Sequence, residues 1–207
     1  MAEFLRSLRR VPGNWSKAQH FWLLGHELHQ SDYASAVKLI RYGLEHFADC
    51  LTARRFCYEH LGRAHQANGA YAEAKACFET AKTILAAETG RDDGSIETFY
   101  ALQVEMERTA CTWSEDLERY YGGIDLADGF FFDMRENAFR LAVAEYLISE
   151  HRGDAAFMAA SIAKLRSLLA GESATEMDQI LLRHRMDPYV HVRPCEAAFL
   201  QRIGLGG

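Results

Sequence analysis

The chain has 207 residues, 49% of them hydrophobic and only three of them proline, with a formal net charge of −6. That is enough chain for one substantial core or a run of helical hairpins, and the scarcity of proline favours long uninterrupted helices. The acidity is local: residues 91–140 carry 12 of the 29 acidic side chains and 5 of the 23 basic ones, so the remainder is near neutral and no basic face marks a nucleic-acid binder.

In chain order, residues 2–10 read as a short amphipathic helix ending before Pro12, and Asn14 or Ser16 offers an N-cap for a helix to about Gln30. After a turn at Ser31-Asp32, the residues Tyr33, Ala36, Ile40 and Gly43 line one side of a second helix. Cys50 to Asn68 gives a third helix, Gly69 a turn that tolerates positive φ, and Tyr71 to about Glu88 a fourth, with Tyr71, Ala74, Phe78 and Ala81 on one side. Residues 89–94 hold two glycines and a run of charge and read as a loop. Ser95 caps a helix to about residue 110, and Thr112-x-x-Glu115 has the form of a capping box opening another helix to Tyr121. Gly122-Gly123 breaks the pattern, and three consecutive phenylalanines, Phe130 to Phe132, follow within an acidic stretch. Helices are expected at about 134–152 and 154–170, joined at Arg152-Gly153-Asp154. Ser173-x-x-Glu176 opens another to about Arg185, and a last helix begins at Pro194 and ends at Gly204.

Two stretches repeat each other. Phe21-x-x-Leu24-Gly25-x-x-Leu28, followed by Tyr33, Ala36 and Ile40, matches Tyr58-x-x-Leu61-Gly62-x-x-His65, followed by Tyr71, Ala74 and Phe78. This resembles the tetratricopeptide repeat (TPR), whose pattern is aromatic-x2-Leu-Gly-x2-Tyr, then Ala-x3-Phe, then Pro. His65 departs from the expected Tyr, and Ala86 stands at the proline position. The resemblance implies an all-α fold of stacked antiparallel hairpins forming a right-handed superhelix. It reads as one domain over 1–207, with its clearest repeats at 17–48 and 52–86 and a divergent one at 95–123. The part at 134–204 is assigned by helical periodicity. Gly62 and Ala74 are expected to face each other across the central hairpin.

Catalytic signatures are absent: there is no GxSxG, GxGxxG, Walker loop or HExxH. His26 and His29, three apart, are on one helical face, yet no third ligand is evident, so neither a metal nor another cofactor is expected. The five cysteines are odd in number, dispersed and without a CxxC pair, as suits buried thiols in a reducing compartment. The first ten residues are basic without a following apolar run, and the most apolar stretch, Ala155 to Ala163, is about half a membrane span. These features predict a cytoplasmic chain with neither membrane nor nucleic acid as partner.

In the resembling family the first helix of each hairpin lines a concave face that takes an extended peptide or partner helix. Placed by the pattern, that stripe carries Gln19, Trp22, His26 and His29. Next come Phe56, Glu59, Arg63 and Gln66, and then Thr98, Ala101, Glu105 and Arg108. Aromatic anchors beside Arg, Glu and His are what interfaces favour. The alternative places Trp22 and Phe56 in the core. The acidic stretch Glu115 to Glu136 and the cluster Arg183, His184, Arg185, His191 and Arg193 read more simply as solvated or internally paired charge. The expectation is therefore a non-enzymatic scaffold binding a protein or peptide, with homo-oligomerisation left open. A ligand-sensing regulator is the alternative, and a small all-α enzyme stands third.

Overall fold

The computed structural model describes residues 13–90, 94–126, 129–132, 134–170 and 190–206; of these, 79% are helical and none lies in a strand. The expected helices at 2–10 and 173–185 lie outside the described residues, as do Arg183, His184 and Arg185. Contacts gather into two compact units, Met1–Val104 and Glu105–Gly207.

The first unit is built from α1 (Asn14–Leu28), α2 (Tyr33–His46), α3 (Leu51–Ala67), α4 (Tyr71–Thr89) and most of α5 (Ser95–Arg108), within which the division falls. Two different turns close its hairpins. Between α1 and α2, Asp32 caps the second helix by accepting from the Ser35 backbone N–H at 3.1 Å; the Ser35 hydroxyl and then this N–H hold its carboxyl below the ordinary range. Between α3 and α4, Gly69 takes φ 73°, a conformation that costs a glycine nothing. The Ala70 N–H then reaches the His65 carbonyl at 2.9 Å.

The packing inside the two hairpins is equivalent. A Cβ on Gly25 would strike the Ile40 side chain, and one on Gly62 would lie 2.7 Å from the Phe78 ring. Ile40 and Phe78 hold the same place in the two copies, and Ala36 and Ala74, one turn earlier, are fully buried. Gly62 thus meets Phe78 foremost, where Ala74 was expected. A helical side chain leans toward the N-terminus and covers the turn before its own Cα, so the long ring of Phe78 fills the space beside Ala74. The helices also stack: α1 packs on α3 as well as on α2, and α2 packs on α3. One apolar cluster, including Ala18, Trp22, Ile40, Ala53, Cys57 and Leu61, runs through them. His65, which takes the place of a tyrosine in the pattern, is buried and accepts the Tyr33 hydroxyl at 2.8 Å through Nδ1. That bond ties α3 to the start of α2.

The second unit holds α6 (Glu115–Gly122), the single turn α7 (Gly129–Phe132), α8 (Arg135–Arg152), α9 (Ala155–Ala170) and α10 (Pro194–Arg202). Its centre is α8, buried along nearly its whole circumference, with Arg135, Asn137, Arg140 and Ser149 buried among its apolar residues. Gly153 at φ 71° closes α8 and turns the chain into α9. The cap of α6 is Ser114, whose hydroxyl accepts from the Leu117 N–H at 3.1 Å; Thr112 instead donates to the Thr109 carbonyl at 2.8 Å. The displacement follows from Ala110 and Cys111, which adopt φ 50° and 53° and lengthen the turn. Helix α6 packs on α8. Among the described residues no helix is long and apolar enough to cross a membrane.

Candidate functional site

The first helices of the hairpins, α1 and α3, together with α5, carry a continuous strip of rings and charges in the first unit. The Trp22 indole stacks on Phe56 with centroids 5.5 Å apart and on the His60 imidazole at 6.1 Å. Trp15 sets its edge against Trp22 at 5.3 Å and Phe56 at 5.9 Å. His26 meets His60 at 5.3 Å and His29 at 4.9 Å. Farther along, the Arg55 guanidinium lies over Phe56 at 4.8 Å and Arg63 over Tyr100 at 4.4 Å.

Beneath this strip lies a pair of acids. Glu59 on α3 and Glu97 on α5 are buried, at 9% and 2% exposure, and their side chains share a hydrogen bond. Arg55 sits 3.5 Å from Glu59 and 3.6 Å from Glu97. Two carboxylates cannot both ionise cheaply in one buried site. Burial and then Glu97 push the Glu59 carboxyl up to about 7, against the pull of Arg55. Near pH 7 the Glu59 carboxyl is therefore about half protonated.

The neighbouring imidazoles are driven the other way. Burial, then Arg63 and the other two histidines, bring His60 down to about 3. Burial, His29 and Arg63 lower His26. Both rings are thus neutral bases. Three buried polar atoms of this cluster find no hydrogen-bond partner within the protein, His26 Nδ1, His60 Nδ1 and Glu97 Oε2, while Arg55 Nε faces Glu59 as an ion pair without hydrogen-bond geometry. Buried polar groups are nearly always satisfied, by protein or by ordered water. Among the described residues, no three His, Cys, Asp or Glu side chains are grouped as a metal ion requires.

The residues marked from the pattern divide accordingly. Trp22 is buried at 4% exposure and belongs to the apolar cluster, so the core alternative describes that ring. Phe56, His26, His29, Arg63 and Gln66 are half-buried, and Glu59 is buried against Glu97. Glu105 and Arg108 belong to the second unit, where Arg108 Nε bonds Glu105 at 2.9 Å and the Ser114 hydroxyl adds a bond at 2.6 Å. They are an internal ion pair. Pattern reading passed over Arg55, His60, Glu97 and Tyr100. Arg55 with Glu59 was legible as an i,i+4 ion pair, and His60 lies one turn from Phe56. Glu97 left no signal.

A second concavity of about 370 Å³ lies in the second unit, bordered by Glu118, Tyr121, Glu145, Arg152 and Phe157. Its polar side chains are already engaged: Tyr121 donates to Glu145 at 2.9 Å, Lys164 bonds the same carboxylate at 3.2 Å, and Arg152 pairs with Glu118. Comparison with protein-family models, with curated proteins and with solved structures found no match.

Proposed function

We propose that the first unit is a TPR-like scaffold that binds an extended segment of a protein or peptide along the strip formed by α1, α3 and α5. The observation that carries this reading is the mixture of orphaned atoms beneath the rings. Glu97 Oε2 is an acceptor, and each free imidazole nitrogen serves as donor or acceptor according to tautomer. A peptide backbone offers both kinds of partner at short intervals, whereas a simple ion offers one. The half-buried Phe56, His26 and His29, with the partly exposed Trp15, supply ring surface for side chains.

Selection of random displayed peptides on the full chain tests this. Binding peptides should lose about 2 kcal/mol, roughly thirtyfold in affinity, with Arg63→Glu or Phe56→Ala. The thermal unfolding of Arg63→Glu should stay near wild type. No enriched peptide, or enrichment indifferent to both substitutions, rejects the reading. A small-molecule sensor is the second reading, favoured by the buried carboxyl pair poised near neutral pH. It predicts stabilisation by a compact polar compound that no peptide displaces.

A further inference from the structure

The second unit places two cysteines, 84 positions apart in the chain, in direct contact. A hydrogen bond links the Cys111 and Cys195 thiols. Three features hold them there. Cys111 follows Ala110 in a turn where both adopt left-handed φ without being glycine, a conformation kept only when its surroundings impose it. Arg193, two residues before Cys195, pairs with Glu107, four before Cys111. Glu196, the next residue after Cys195, is bonded to Arg140 at 3.1 Å on α8.

We propose that Cys195 and Cys111 form a hydroperoxide-reactive dithiol site, with Cys195 as the attacking thiol and Cys111 as the resolving one. Cys195 lies in the first turn of α10 and is half-buried. The Cys111 hydrogen bond there draws its thiol below the ordinary value, and a helix N-terminus acts in the same sense. Cys111 is buried, so the half-buried Cys195 is the better placed of the two to meet an oxidant. Burial pushes the Cys77 thiol up to about 11 and Cys57 up to about 12, so neither competes as a nucleophile.

The chemistry closes in two steps. The Cys195 thiolate attacks one peroxide oxygen and the O–O bond breaks. The product is a sulfenic acid, and an alkoxide that takes up the thiol's proton and leaves as an alcohol (water, for hydrogen peroxide). The Cys111 sulfur then attacks the sulfenic sulfur. The S–O bond breaks, and hydroxide leaves with the Cys111 proton as water. Two thiols lose two electrons, the hydroperoxide gains them, and one S–S bond joins the α5–α6 turn to α10. The two thiols are already hydrogen-bonded to each other, and the disulfide closes them to a bond length of about 2.05 Å.

Hydrogen peroxide added in small excess to the reduced full chain, followed by alkylation and peptide mapping, tests this. The expected product is a cross-link between the Cys111 and Cys195 peptides with loss of two hydrogens. Cys57 and Cys77 should remain alkylatable after unfolding. In Cys111→Ser the cross-link should vanish and Cys195 should be trapped as a sulfenic acid by dimedone. Cys195→Ser should lose both signals, and Cys50→Ser, which removes the exposed thiol, should lose neither. The proposal is overturned if wild-type Cys111 and Cys195 stay reduced at a peroxide dose that consumes Cys50. The wild-type map decides this even where a variant folds poorly.

Discussion

The two units bury charge in opposite ways. In the second unit, Arg140 and Glu196 are 4% and 1% exposed, and both Glu196 oxygens are hydrogen-bonded. Arg140 Nε reaches Glu196 at 3.1 Å, its Nη2 reaches Glu136 at 2.6 Å, and the second Glu196 oxygen accepts the Arg193 N–H at 2.8 Å. In the first unit, Glu59 and Glu97 crowd each other and one of their oxygens is orphaned. A buried pair with its bonds complete is an architectural joint. A buried like-charge pair that is incomplete is strained in charge, and proteins keep such strain where something must bind or titrate.

The largest effect should come from breaking the complete pair. Glu196→Ala leaves the Arg140 guanidinium buried and removes the capping bond of α10, so unfolding should cost about 3–5 kcal/mol less than in wild type. Urea denaturation measures it. Glu97→Gln in the first unit should behave differently, since it relieves repulsion even as it weakens an ion pair with Arg55. Above neutral pH it should be near neutral or stabilising. Equal losses at both sites would dissolve the contrast.

Gly62→Leu comes next. The Phe78 ring already occupies the space that a Cβ would take, at 2.7 Å. Overpacking there should cost about 1–3 kcal/mol, read as a lower melting temperature. Gly122, beside which a Cβ would meet nothing within 4 Å, is the matched control in the second unit.

These two positions also show what was readable in the chain. The hairpins of the first unit were, because glycine and alanine recur with their large partners at fixed intervals. So were the ends of α8 and α9, because Gly153 punctuates them. The start of α6 was misplaced by two residues, since nothing in Ala110 or Cys111 announces a left-handed backbone. At the candidate site the stripe through His26, Phe56, Glu59 and Arg63 was legible from helical spacing. Its depth was not: spacing marks a face but cannot tell that Trp22 is sealed while Phe56 is half open. Glu97 pairs with Glu59 from 38 positions away, a juxtaposition set by how α5 packs and not by any local pattern.

The titration of the first unit should have two opposing arms. Glu59 is raised in the folded state, from 4.5 to about 7, so its contribution is full below about pH 4.5 and is lost as pH rises through 7. His60 is depressed, from 6.5 to about 3, so its contribution is full above about pH 6.5 and is lost as pH falls toward 3. Glu59→Gln should flatten the alkaline arm and leave the acid arm standing. The check is the unfolding midpoint between pH 4 and 8.5 in a Trp113→Phe background, where Trp15 and Trp22 report on the first unit alone. An alkaline arm unchanged by Glu59→Gln would place the titrating group elsewhere.

The smallest expected effect on stability is the most informative about the strip. Arg63 lies over Tyr100 at 4.4 Å, a cation–π contact worth about 0.5–1 kcal/mol when partly exposed. It also stands among the influences that lower His26 and His60. Arg63→Gln therefore removes one attraction and relieves two neighbouring rings of an adjacent positive charge. The two changes partly cancel, so net stability at neutral pH should move by less than about 1 kcal/mol. The imidazole resonances are the sharper readout. Both His26 and His60 should titrate at higher pH in the variant, His60 still well below an ordinary histidine because burial, its leading cause, remains. If both resonances stay where they were, Arg63 does not share a field with the histidines. The strip would then break into an aromatic end and an acidic end with no electrostatic link between them.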